Sequence, residues 1–247
     1  MEDMLRLAKE DFEIANLLYK EKKYSNALYH YHQSVEKTVK YIGLSTGEIS
    51  EAQLIKDIRH NPINVFKILF SNISDQYSGL IPQVDPNIFN DAKIIIESKS
   101  EDFIVSQVID NIKALCNDKI IIDVDQYPTK LDALIDYVSK VFPNLDNIYN
   151  IENETEKVYV ATRLRTEIDN TILFINYGIK LLQILLMHSL LCSKYKPDSF
   201  RYSSSQIGNP VEFFNEQNPI ILGLPFLLKT MNIPITFAGE FNWNHSK

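Results

Sequence analysis

The run from Tyr24 to Gly43, Y-S-N-A-L-Y-H-Y-H-Q-S-V-E-K-T-V-K-Y-I-G, limits the possible folds of this 247-residue chain more than any other stretch. Tyr24, Ala27, Leu28, Tyr31, Val35, Thr38, Val39 and Ile42 recur at spacings of three and four. That spacing gathers them on one face of an α-helix and leaves Gln33, Lys37 and Lys40 opposite. Gly43 follows the last apolar position, where a left-handed C-cap is expected. Upstream, Leu5, Ala8, Phe12, Ala15 and Leu18 mark the core face of a first helix over residues 2–22, with Glu10, Glu13 and Lys20 outside. Only Glu21, Lys22 and Lys23 link the two, so the second helix must return antiparallel to the first.

The remainder also reads as helical. Seven glycines in the whole chain leave long stretches without turn punctuation. Ser50 and Gln53 fit an N-terminal capping box, and the helix it opens over 51–59 is interrupted ahead of Pro62. Asn61 can cap the next helix, with Pro62 at its first position and an end near Ser74, which leaves Arg59 and His60 in the turn before it. Residues 87–98 and 101–117 follow as helices, the second with Phe103, Val105, Val108, Ile109, Ile112, Leu115 and Cys116 inward. Lys119–Asp125 fits a short strand or a frayed helix end, Thr129–Phe142 an amphipathic helix, and Asn144–Glu154 a polar linker. Residues 155–193 form the longest helical pattern, with a bend expected near Gly178. Prolines at 197, 210, 219, 225 and 234 then predict short helices near 209–216 and 223–231, with little regular structure after 233. The fold class is therefore all-α: an N-terminal up-down bundle of four-helix type, additional C-terminal helices and an irregular Pro-rich tail. Two layouts are open. Residues 1–117 form one helical bundle and 118–247 an additional helical region, or 76–154 is an insertion and the 155–193 helix completes the bundle.

Charge narrows the partners. The chain carries −7 overall, and residues 76–160 hold 7 basic against 15 acidic side chains. That middle third would repel a phosphate backbone, so any anion site must be local. Cys116 and Cys192 lie among apolar neighbours and read as two small buried hydrophobes in a reducing compartment, with a disulfide between them as the alternative the sequence leaves open. The N-terminus lacks a basic region followed by an apolar core, so no signal peptide is expected and the chain is placed in the cytoplasm. Residues 172–192 approach the apolarity of a membrane span, but Asp169, Asn176, Lys180 and Gln183 draw a polar stripe along them. A buried central helix, with no membrane partner, is the expectation.

Three segments carry a resemblance. Within A-L-Y-H-Y-H-Q-S-V-E-K-T-V-K, the residues Ala27, Gln33, Val35, Glu36, Lys37 and Lys40 stand in the second-helix pattern of HEPN domains, with Ser34 in place of a small Ala. Upstream, L-A-K-E-D-F-E-I-A-N-L-L-Y is similar to that family's first helix. Downstream, I-R-H-N-P-I-N-V-F-K-I-L is similar to its His-initiated third helix. The resemblance covers about the first 75 residues. It implies a HEPN-type helical bundle, a homodimer, and a setting in host defence or toxin–antitoxin pairs, with a nucleotidyltransferase as a possible protein partner.

Many members of that family are ribonucleases with an R-x4-6-H motif, in which His serves as acid or base. No arginine of this chain has a histidine at that spacing, and Arg59 and His60 are adjacent, about 100° apart if helical. What remains is a looser group, Glu36 and Lys37 on the second helix and Arg59, His60 and Asn61 at the start of the third. A helix start offers free N–H groups and partial positive charge, so a phosphate could bind there with Arg59 and Lys37 assisting. The structural alternative pairs Glu36 with Lys40 and leaves His60 packing against the helix junction. His30 and His32 diverge by about 200° and cannot share one ion, and no metal or cofactor motif occurs.

Three functions follow from the residues and the resemblance. The first is a non-catalytic module that binds a nucleotide, an RNA or a protein partner. The second is a divergent metal-independent ribonuclease with His60 as its catalytic candidate, working with Arg59 or Arg165. The third is a purely structural dimerisation module.

Overall fold

The computed structural model describes residues 2–58, 60–76, 98–117, 178, 180–205 and 207–240. Arg59, Arg165, the ambiguous 119–125 segment, the predicted 129–142 helix and the polar 144–154 stretch lie outside them. The chain divides into two compact units, Met1–Asn117 with Leu181–Lys247, and Asp118–Lys180.

In the first unit, helix α1 (Glu2–Lys20) and helix α2 (Tyr24–Ser45) form the expected antiparallel hairpin. Lys22 turns the chain at φ 58, and the Lys23 N–H reaches back to the Leu18 carbonyl. Ala8, Ala15, Ala27, Leu28 and Val35 are fully buried in the seam, where the alanines let the two backbones approach. Ser34 adds a hydrogen bond, its hydroxyl donating to the Ala8 carbonyl at 2.8 Å. A hydroxyl so buried would cost stability without that acceptor.

Gly43 is not the predicted left-handed cap. The helix continues to Ser45, and the left-handed residue is Gly47, at φ +74. Gly43 is glycine for another reason. A Cβ there would stand 2.7 Å from Ile49 Cδ1 and 3.0 Å from Val65 Cγ1, so its absence admits the following turn and the next long helix.

Helix α3 (Glu51–Gln53) opens with the expected capping box. Gln53 N–H meets Ser50 Oγ at 3.3 Å, and Ser50 N–H meets Gln53 Oε1 at 2.9 Å. It runs into a π-helical turn, Leu54–Ile58, and the chain then breaks before helix α4 (Ile63–Gln76). Helix α5 (Glu101–Asn117) buries Ile104, Val105, Val108 and Ile112. Phe103 and Cys116, expected inward, are exposed, because α5 turns only the narrow 104–105–108–112 stripe to the core. Cys192 is buried as expected, and both thiols are free.

Helix α6 (Lys180–Cys192) is mostly buried, in line with the central helix expected for this part of the long apolar stretch. A 3-10 turn (Pro197–Phe200), helix α7 (Pro210–Phe213) and helix α8 (Pro219–Glu240) complete the first unit. The expectation of little regular structure after 233 is corrected here. Pro225 and Pro234 lie inside α8. An interior proline costs a helix about 3 kcal/mol. Against that, Ile220, Leu224, Leu227, Leu228, Met231, Ile235 and Ala238 are all buried along one side. Each large apolar side chain so buried returns roughly 1.5–3 kcal/mol, which decides the balance. Pro219–Gly239 is also long and apolar enough to cross a membrane, but 56% of its apolar window is buried inside the protein.

Every described element is helical, and the sole extended pairing among described residues is an isolated bridge, Ser204 with Gly208. The fold is all-α. Tyr31 ties the hairpin to the C-terminal helices: its hydroxyl meets Nδ1 of the buried His188 on α6 at 2.6 Å. The other ring nitrogen of His188 lies 3.3 Å from Thr230 Oγ1 on α8.

Candidate functional site

Between the middle of α2 and the start of α4 lies a cavity of about 670 Å³, closed on its third side by the 192–198 segment. Its position follows from the capping chemistry. Asn61 turns the chain, its Oδ1 accepting the Ile63 N–H at 3.2 Å while its carbonyl accepts the Asn64 N–H at 3.2 Å. The Pro62 carbonyl takes the Val65 N–H at 3.1 Å. The start of α4 is thus largely satisfied within the protein. The free N–H groups expected there for a phosphate are engaged, and what the helix start offers is its dipole.

The opposite wall is fixed through Glu101 at the start of α5. Its carboxylate accepts from the Tyr195 hydroxyl at 2.7 Å and from Asn218 Nδ2 at 3.1 Å. Burial raises Glu101 above the usual carboxylate range, and the bonds from Tyr195 and Asn218 pull it back. Tyr195 packs its ring against Phe200, Phe213 and Phe214, and the Ser25 hydroxyl donates to the Phe200 carbonyl. These contacts hold the 195–200 segment against α2.

Of the residues singled out in the sequence, the structure brings Glu36, His60 and Asn61 together. Glu36 is buried on α2, and its Oε1 accepts from Lys40 Nζ at 2.6 Å, the i+4 pair anticipated from spacing. The same oxygen lies 3.3 Å from His60 Nδ1. The His60 ring is 77% exposed and stands with Asn61 on the rim of the cavity. Glu36 Oε2 is buried without a hydrogen-bond partner.

Lys37 goes elsewhere. Adjacent residues on a helix diverge by about 100°. Lys37 accordingly pairs with Asp11 on α1, whose other oxygen is 2.7 Å from His30 Nδ1. His30 and His32 part company as expected, His30 toward α1 and His32 into the cavity wall.

His32 is the residue the spacing argument passed over. It is 2% exposed, lines the cavity, and its Nδ1 has no hydrogen-bond partner. Burial lowers its pKa to about 4, against the upward pull of the Glu36 carboxylate and the Cys192 backbone. It is therefore a neutral imidazole at physiological pH. The signal was present in the sequence, since His32 and Glu36 are four residues apart and share one face of α2. Gln33 and Lys196 also line the cavity. Among described residues no group of three His, Cys, Asp or Glu side chains is arranged to hold a metal ion.

An all-α hairpin whose second helix carries a buried glutamate facing a histidine at the head of the next long helix is the arrangement present here. The HEPN domain family matches the chain over residues 1–59, so the N-terminal segment is of the HEPN type. The chain is also similar to a protein of Methanocaldococcus jannaschii named "Putative toxin MJ1304", at 32% identity over 81 residues. That alignment covers 33% of this chain and 53% of the relative, so the chain spans about half the length of the relative it matches. No solved structure matches the chain.

Proposed function

We propose that this chain is a non-catalytic HEPN-type module of a toxin–antitoxin-like system, and that it binds a nucleotide or an RNA end at the cavity between α2 and α4. The observation that carries this reading is the exposed His60 ring, held by the buried Glu36 carboxylate at the rim of a 670 Å³ cavity. Asn61 stands beside it, and the α4 dipole favours negative charge at the same rim. The HEPN match over residues 1–59 and the toxin-named relative fit the setting. A homodimer and a nucleotidyltransferase partner belong to the same proposal, as does a cytoplasmic location.

The Glu36–His60 pair also favours a second reading. A carboxylate that orients a histidine is the support a general acid or base needs, so a divergent ribonuclease centred on His60 is the alternative. One experiment separates the two. The purified chain is incubated with a mixed RNA pool beside His60→Ala, and both retention and length of the RNA are followed. Intact RNA bound by the wild type and bound more weakly by the variant supports the module. Cutting that disappears in the variant replaces it with the ribonuclease.

A further inference from the structure

Arg201 follows the 3-10 turn, and its guanidinium lies over two aromatic rings, 5.1 Å from the centre of Tyr29 on α2 and 5.5 Å from that of Tyr202. Both distances fall within the span of about 6 Å in which a cation is drawn to a ring face. The stack is braced. Tyr29 meets the His30 ring edge-on at 5.2 Å, and the Asp11 carboxylate holds His30 in turn. The backbone N–H groups of Arg201 and Tyr202 both donate to the Asp198 carbonyl, at 3.1 and 2.9 Å. Just before them, the Phe200 carbonyl accepts from the Ser25 hydroxyl on α2. A guanidinium held in this way has lost much of its rotamer freedom before any ligand arrives.

What the guanidinium lacks is an anion. Among the described residues Arg201 makes no ion pair and no side-chain hydrogen bond, even with Asp198 three residues before it. Arg201 is exposed, and so is Tyr202, by 58%. The edge of the guanidinium is a planar fork of donors that matches one carboxylate through two parallel bonds.

We infer that Arg201, with Tyr29 and Tyr202, anchors a protein-binding surface, and that its partner presents a single Asp or Glu carboxylate flanked by apolar side chains. The inference goes beyond the cavity reading and stands apart from it. A polyanion such as RNA calls for several free cations together. Of the two lysines in the same segment, Lys194 donates to the Lys99 carbonyl at 2.9 Å, and the charge of Lys196 is offset by the exposed Asp198. His30 is engaged with Asp11, and the chain as a whole carries −7. One open fork between two tyrosine rings reads one acid in an otherwise apolar contact. Tyrosine and arginine are also the residues in which protein interfaces concentrate their binding energy.

The test uses the full chain as bait for a displayed library of random short peptides, with Arg201→Ala as the counter-selecting bait. The winning peptides are synthesised, and their affinity is measured by calorimetry for wild type, Arg201→Lys and Tyr202→Ala, beside a short single-stranded RNA. Both substituted side chains are exposed, so the variants keep the fold. The expected winners carry one Asp or Glu between apolar residues. They should bind about tenfold more weakly to Arg201→Lys, although the charge is kept, and to Tyr202→Ala. Replacing the acid of a winner by its amide should cost about as much. Three results each overturn the inference: no winner that depends on Arg201, winners without an acid, or equal affinity for wild type and Arg201→Lys. An RNA affinity that falls in Arg201→Lys while peptide binding does not would assign the arginine to nucleic acid and overturn it as well. The cavity reading survives each of these results, because it does not use Arg201.

Discussion

The hydroxyl of Tyr31 lies 2.6 Å from Nδ1 of His188, and both residues are buried. One side chain comes from the N-terminal hairpin and the other from a helix 157 residues further on. Removing the hydroxyl by Tyr31→Phe leaves the ring nitrogen of His188 without its partner in a dry interior. The expected loss is about 1–3 kcal/mol. Urea unfolding checks it, and an unchanged midpoint would mean that the contact contributes nothing to docking α6 on α2.

Acid should weaken the fold through the same residue. Burial lowers His188 to about 3 and His32 to about 4, from a usual value of 6.5. Below that usual value the unfolded chain binds protons that the folded chain refuses. Stability is thus fully present above about pH 6.5, falls steadily as the pH drops below that value, and the loss is complete once the pH passes 4 toward 3. Each histidine contributes on the order of 2 kcal/mol of that loss by pH 4.5. Urea midpoints across pH 4.5–7.5 measure it, with a shallower slope expected for His188→Gln.

Gly43 should tolerate little. Gly43→Val places new methyl groups where Ile49 Cδ1 and Val65 Cγ1 already stand, 2.7 and 3.0 Å from even a Cβ. Overpacking of this kind costs about 1–3 kcal/mol. Ile49→Ala in the same chain opens the space and should recover part of the loss, so the thermal midpoint of the double variant should lie above the sum of the two single changes. Strict additivity would contradict the close approach.

Lys37 and His60 should separate function from scaffold. Lys37 pairs with Asp11, on another side of α2 from the cavity, and its side chain is 28% exposed. Lys37→Met takes one partner from the buried Asp11 carboxylate, which keeps His30, and is therefore expected to cost about 1–3 kcal/mol of stability and to leave nucleotide affinity unchanged. His60→Ala should do the reverse. Calorimetric unfolding beside a binding titration of each variant reads both effects.

How far the sequence foretold this depends on range. The α1–α2 hairpin, the Ser50–Gln53 box and the Asn61 cap are local, and spacing or side-chain chemistry within a few residues determines them. The joining of Tyr31 to His188 is not local, and no periodicity encodes which distant helix a tyrosine will meet. Pro225 and Pro234 read as helix breakers because breaking is a local cost, while the burial that overrides it comes from neighbours far along the chain. At the site, Glu36 and His60 were legible from the α2 pattern and the α4 cap. Lys37 stands next to Glu36 on one helix and so cannot share its direction, and it pairs with Asp11 on α1 instead. His32 shares its face of α2 with Glu36 and not with His30, and that four-residue spacing sets it in the cavity wall.

The central claim is that a base-bearing ligand enters between α2 and α4. Backbone and histidine side-chain NMR shifts recorded while adenosine monophosphate is added test it most directly. The account predicts changes concentrated at His32, Gln33, His60, Asn61 and Lys196, with Asp11, His30 and Lys37 still. Changes centred on Asp11, His30 and Lys37, or none anywhere at millimolar nucleotide, would contradict it.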